Sequence, residues 1–281
     1  MSALDQDVRP GRTRAVGRPP RGRDVGRTLV RGTGQTLLTV GLVALLFVGY
    51  ELWVTDLLAA REQDRLTEQI RDDWAEDPTV GGPGPVAAAP PPGDAPAPAP
   101  PEVLDVAVGE PFAVLHIPRL GADYERVVVE GTAQTQLAQG PGHYLRTAMP
   151  GEQGNLALAG HRVGRGSPFL DLDRLRPGDP IVVETAGTWF VYRVLGAPGD
   201  QDFAGDPSGI PGRRIVRPTD VTVLSPTPGG PAGGPATGAF LTLTTCHPKY
   251  SAEQRLVIHA RLDGEPVSRA TAPDGPPALL G

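Results

Sequence analysis

The chain has 281 residues, of which 37 are glycine and 33 proline, together about a quarter of the total. These breakers sit in blocks, so the part that can bury a core is much shorter than the chain. The formal net charge is −6; the segment up to Gln35 is locally +5 and the remainder −11, which argues against nucleic-acid binding by that acidic remainder.

Residues 1–36 carry Arg9, Arg12, Arg14, Arg18, Arg21, Arg23, Arg27 and Arg31 among Gly, Pro and Thr. With few apolar groups to bury, this basic arm is expected to be disordered. Residues 37–54 are apolar apart from Thr39 and Glu51, close to the ~20 residues that cross a bilayer. Arginines before the run and acids after it, Glu51 and Asp56, predict a cytoplasmic N-terminus. An uncleaved single-pass anchor is expected; a cleaved signal sequence is the competing reading.

Residues 55–77 continue as a predicted helix, with Leu66, Ile70 and Trp74 on one face. It reads as a juxtamembrane stalk with a weak tendency to self-associate. Residues 78–105 are rich in Pro, Ala and Gly and form an extended spacer.

A folded domain is expected over 106–264. Strand-like runs recur at 112–117, 126–129, 155–159, 181–185, 189–195, 220–224, 240–246 and 255–262, separated by Gly/Pro turns. This is an all-β pattern, a closed barrel or a sandwich. Short helical cues fall near 134–139 and 168–175, and two breaker-rich loops at 205–214 and 225–238. The Pro/Ala-rich tail, 265–281, is expected to be disordered.

The chemistry gathers around one thiol. Cys246, the single cysteine, ends an apolar/Thr strand, and Arg255 opens the next. If the two strands are antiparallel neighbours, Arg255 returns to Cys246. An exported thiol without a disulfide partner is expected to have a catalytic reason, although a lone cysteine is most often a small buried residue. Arg255 by itself reads equally as an ion-pair residue at the rim. His161 follows a strand of small and apolar residues ending in Gly160 and opens a loop, where it would titrate near neutrality. His116 and His259 read as structural, and His247 as either an orienting neighbour of the thiol or a strained turn residue. One thiol and scattered histidines lack metal-ligand spacing, and no cofactor is expected.

Thr242-Leu243-Thr244-Thr245-Cys246 resembles the sortase signature Thr-Leu-x-Thr-Cys, and Ala159-Gly160-His161-Arg162 resembles the sortase histidine segment. Arg255 follows at the matching distance. The extended forms Gly160-His161-Arg162…Ser167-Pro168-Phe169 and Cys246-His247-Pro248-Lys249-Tyr250-Ser251 look most like the class E sortases of actinobacteria, and arginine used almost to the exclusion of lysine fits such a genome. The segment around 205–214 departs from the pattern. The resemblance implies an eight-stranded barrel and a cysteine transpeptidase. It would cut a surface protein's Leu-Ala-x-Thr-Gly or Leu-Pro-x-Thr-Gly sorting signal after Thr and join it to an amine of a cell-wall precursor. Cys246 would be the nucleophile, His161 the acid and Arg255 the oxyanion donor; Thr245 and Tyr144, with His247, would be substrate-groove residues. The rival classes are an exported cysteine L,D-transpeptidase, whose close-set His/Cys segment is absent here, and a non-enzymatic wall-binding β-barrel.

Overall fold

The structure is a computed structural model that describes residues 22–50, 55–76, 105–197, 199 and 201–279. The expectations for residues 1–21, for 51–54 with Glu51, and for the spacer over 78–104 lie outside the described residues. The chain divides into two compact units, Met1–Gly49 and Tyr50–Gly281.

The described residues of the first unit form helix α1, Gly22–Gly49. Its Gly26–Gly49 portion is long and apolar enough to cross a membrane by length and composition. The side chains of Leu38 and Leu45 are 77% and 70% exposed. The helix begins well before the apolar run, so residues 22–36 are helical where a disordered arm was expected. Once a turn is nucleated each added residue gains a hydrogen bond, and arginine is a good helix former.

In the second unit the strands are β1 Pro111–His116, β2 Glu125–Glu130, β3 Gly142–His143, β4 Gly154–Ala159, β5 Pro180–Glu184, β6 Thr188–Val194, β7 Arg213–Val216, β8 Ala239–His247, β9 Gln254–Leu262 and β10 Val267–Ser268. Pairing runs β6–β5–β1–β2–β3–β4–β8–β9, and β9 returns to β6. These eight strands close a barrel, the expected number. β7 and β10 are added outside it, on β9 and β6. Two neighbouring pairs are parallel, β2–β3 and β4–β8.

Alternation sorts the side chains. Leu115, Leu156, Leu158, Val183, Leu241, Leu243, Leu256 and Ile258 fill the barrel with Phe169 and Tyr192. Val114, Val127 and Val129 point outward, yet each is 0% exposed. Helix α2, Thr55–Glu76, covers them with Leu66 and Ile70, and Trp74 packs at the edge. Because both faces of β1 and β2 are buried, their sequences read as continuous apolar runs.

This corrects the stalk reading of α2: its apolar face is satisfied by the barrel. The Gln63 side chain donates to the Gln139 carbonyl (2.5 Å) and accepts from the Val127 N–H (2.9 Å). Arg71 forms a two-point pair with Glu184, one bond at 2.8 Å. Glu184 is fully buried and also meets His116 Nε2 at 2.9 Å and Arg269 Nε at 3.1 Å. Burial alone would raise its pKa; the bonds from His116 and Arg71 hold it below the ordinary carboxylate value. His116 is thus the satisfied histidine expected.

Three further expectations change. The run 220–224 is a 3₁₀ turn, Val221–Leu224, because the Asp220 carboxylate caps the Thr222 N–H at 3.2 Å and takes its hydroxyl. The breaker-rich segment at 205–214 delivers β7, whose Arg213 lies 4.0 Å over the Phe203 ring. The tail beyond 264 is ordered over its described residues: Val267 pairs with Trp189, and the Trp189 indole N–H donates to the Ala272 carbonyl at 2.9 Å. The open edge of β6 needs only two residues to be covered, too few for a compositional signal. The helical cue near 134–139 forms α3, Gln134–Leu137, and the one near 168–175 forms a 3₁₀ turn, Leu172–Arg174.

Candidate active site

β4, β8 and β9 are consecutive in the sheet, and register fixes what meets at their ends. Ala159 pairs with Thr244 in the parallel β4–β8 ladder, and the Gly160 N–H donates to the Thr244 carbonyl at 3.1 Å. Continued two residues, this register brings His161 level with Cys246. Across the antiparallel β8–β9 ladder Cys246 is directly opposite Arg255, which in turn pairs with Val216 of β7. Since Leu241 and Leu243 face the core, the even-numbered positions of β8, Cys246 among them, face outward. The structure therefore brings His161, Cys246 and Arg255 to one height at one end of the barrel wall. Cys246 is half-buried and unpaired. The Arg255 Nη1 donates to the carbonyls of Ala252 and Gln254, both at 3.0 Å.

The loop after β4 is built to turn back on itself. A side chain at Gly160 would meet the Phe169 ring at 2.5 Å, so only glycine lets that buried ring fold under the strand end. The Phe169 N–H closes the loop on the His161 carbonyl at 3.1 Å. Between them Gly164, Arg165, Gly166 and Ser167 all have positive φ, from 42° to 74°. The loop's far side leans on α2, with the Ala59 methyl 3.1 Å from where a side chain at Gly166 would begin.

His161 Nε2 is buried and has no hydrogen-bond partner among the described residues. Burial, and secondarily the charge of Arg165, push its pKa below the ordinary imidazole value. The neutral ring is thus favoured at neutral pH, lower than the strand-end position suggested.

The weaker sequence candidates separate. The Tyr144 N–H binds the Ala157 carbonyl at 2.9 Å, and its hydroxyl meets Thr244 Oγ1 at 3.1 Å, on the outward face two residues before Cys246. Thr245 goes the other way. The residue is 2% exposed, and its hydroxyl donates to the Gly160 carbonyl at 2.8 Å. Strand alternation turns it from the outward face, so it fixes the strand end that carries His161. His247 accepts at Nδ1 from Arg162, 3.0 Å away. His259 is fully buried against Thr242 Oγ1 at 2.9 Å, a structural residue as expected.

Two features were missed. Arg162 is a 3% exposed arginine that touches both sides of the site. Asp171 of the His161 loop holds Lys249 of the β8–β9 loop at 3.0 Å. Arginine is seldom so buried, and its composition alone gives no sign of it.

A family model described as a sortase domain matches residues 115–263. Sortase SrtE1 of Streptomyces coelicolor is 34% identical over 92% of this chain; the chain spans 64% of that relative's length. Sortase SrtE2 of the same organism is 35% identical over 82% of this chain and 80% of its own. Among solved structures, SrtF sortase from Corynebacterium diphtheriae aligns over 65% of this chain and 98% of its own, at 39% identity and a TM-score of 0.58.

Proposed function

The chain belongs to the sortase family, and on that premise we propose that it is a membrane-anchored cysteine transpeptidase acting on surface proteins that carry a Leu-Ala-x-Thr-Gly or Leu-Pro-x-Thr-Gly-like sorting signal. The observation that carries the reading is the shared height of His161, just past the end of β4, with Cys246 and Arg255, paired across the adjacent strands β8 and β9.

In the first half-reaction the Cys246 thiolate attacks the Thr carbonyl carbon of the sorting signal. The carbonyl π-electrons move to oxygen, and Arg255 donates hydrogen bonds to that oxyanion. The C–N bond to Gly then breaks, and His161, as imidazolium, protonates the leaving amine. A thioacyl-enzyme remains. In the second half an acceptor amine of a wall precursor attacks the thioester, gives a proton to His161, and displaces the thiolate. Because burial lowers the His161 pKa, the imidazolium is a minority species at neutral pH, and the enzyme works through that fraction.

The apolar helix α1 supports a single-pass anchor. The arginines before its apolar run and the acids after it support a cytoplasmic N-terminus and an extracellular barrel. Protease added to intact protoplasts is expected to digest the barrel and spare the N-terminal arm.

The decisive experiment incubates the purified chain in detergent with peptides of both motifs and a primary amine, read by mass spectrometry. The wild type is expected to cut between Thr and Gly and yield mainly the ligated peptide. Cys246→Ala is expected to form no thioacyl species, and a folded Cys246→Ala chain that still cuts at Thr–Gly sinks the reading.

A further inference from the structure

Arg162 directly follows His161, yet the two half-reactions give it no role. It is charged and 3% exposed, and a guanidinium is that deeply buried only when partners surround it. Its Nη2 pairs with Asp173 Oδ1 at 2.9 Å, and its Nη1 meets His247 Nδ1 at 3.0 Å. Longer, weaker contacts reach the Cys246 carbonyl from Nη1 and the Leu170 carbonyl from Nε, both at 3.4 Å.

These partners lie on two pieces of chain, the segment that follows β4 and the end of β8. Asp173 is in the 3₁₀ turn, Leu170 in the loop that His161 opens, and Cys246 and His247 at the end of β8. The final rungs between the two strands are Gly160 N–H to Thr244 O and Thr245 Oγ1 to Gly160 O. Beyond those, where His161 and Cys246 stand, the next link is the Arg162 side chain. A guanidinium only donates, so His247 Nδ1 must accept and its hydrogen resides on Nε2.

We infer that Arg162 is a positioning residue: its guanidinium clamps the loop bearing His161 onto the strand end bearing Cys246 and holds His247 as the Nε2-protonated tautomer, fixing the separation of acid and nucleophile. The catalytic consequence rests on the transpeptidase reading; the clamp itself does not. Lysine cannot substitute, because one ammonium lacks the planar fork that reaches Asp173 and His247 together.

The test uses the full chain with Arg162→Met, which keeps an unbranched stem in the buried site, and Arg162→Lys. Arg162→Met is expected to unfold cooperatively and to lose ~10–100-fold in kcat, the scale of a misplaced reacting group, while KM for the peptide stays within about twofold. Arg162→Lys is expected to recover only a minor part of the loss. In ¹⁵N-histidine spectra the wild-type His247 Nδ1 is expected to give an acceptor signal, replaced by mixed tautomers in Arg162→Met. Wild-type kcat in a folded Arg162→Met chain overturns the inference, as does a tautomer signal that does not change. If Arg162→Met fails to fold, Asp173→Asn loosens the clamp from its half-exposed end; a few-fold loss in kcat supports the inference and an unchanged kcat overturns it. A wild type that ligates no sorting peptide counts against the transpeptidase reading, and the tautomer signal then decides the clamp alone.

Discussion

Arg255 stands directly opposite Cys246 in the β8–β9 ladder, with its Nη1 held by the carbonyls of Ala252 and Gln254 at 3.0 Å. Directly opposed residues project to the same side of a sheet. A guanidinium has five N–H donors, so those two bonds leave others for an oxyanion at the thiol. Arg255→Ala is expected to lower kcat by ~10²–10³, the usual cost of one oxyanion donor. Arg255→Lys should restore little of it. Because the side chain is only half-buried, thermal unfolding of both variants should resemble wild type. A folded Arg255→Ala chain with full turnover would leave this arginine as a tie for the β8–β9 loop.

The pH dependence should report His161. Burial lowers its pKa first and the Arg165 charge second, so the acid limb of kcat/KM is expected below the ordinary imidazole value of ~6.5. Removing the neighbouring positive charge makes the imidazolium easier to form. Arg165→Gln should therefore shift the acid limb to higher pH, without reaching the ordinary value, because burial remains. Profiles of the two proteins with coincident acid limbs would remove Arg165 from the electrostatics of the site.

Acid stability should depend on His259. Burial, with a smaller contribution from Arg214, lowers its pKa to about 3. The folded pKa is below the unfolded one, so the unfolded chain takes up the proton first. Stability is then full above about pH 6.5 and falls as pH drops toward 3, by up to ~1.4 kcal/mol per pH unit. His259→Leu should flatten that slope, and Thr242 keeps its bond to Asn155 Oδ1 at 2.7 Å. Urea unfolding between pH 7 and 5 measures it; equal slopes in the two chains would contradict the assignment.

Helix α2 should act as part of the domain. Leu66 and Ile70 are 2% and 1% exposed, against Val114, Val127 and Val129. Leu66→Ala and Ile70→Ala should each cost ~2–5 kcal/mol, as in a core. A self-associating stalk would instead change the oligomeric state and leave barrel unfolding untouched, which sedimentation and denaturation together distinguish.

The sequence by itself determined the apolar segment of α1, seven of the barrel strands, and Cys246, His161 and Arg255 as the candidates. Those signals are local: a run of apolar residues, a two-residue alternation, a motif of fixed spacing. It could not show that β7 and β10 complete open edges, because a strand of two to four residues takes its stability from the partner it covers. Nor could it show that Thr245 turns inward while Tyr144 stays on the outward face, since that follows from which side of β8 the core occupies. The same amphipathic stripe on α2 fits a self-associating stalk or a docked helix, and only the outward-pointing valines of β1 and β2, which α2 buries, choose between them. Arg162 is the extreme case. Arginine is ordinarily left in water, and what buries it here is the convergence of Leu170 and Asp173, from the segment that follows β4, with His247 of β8, which reaches them only when β4 and β8 pair in parallel.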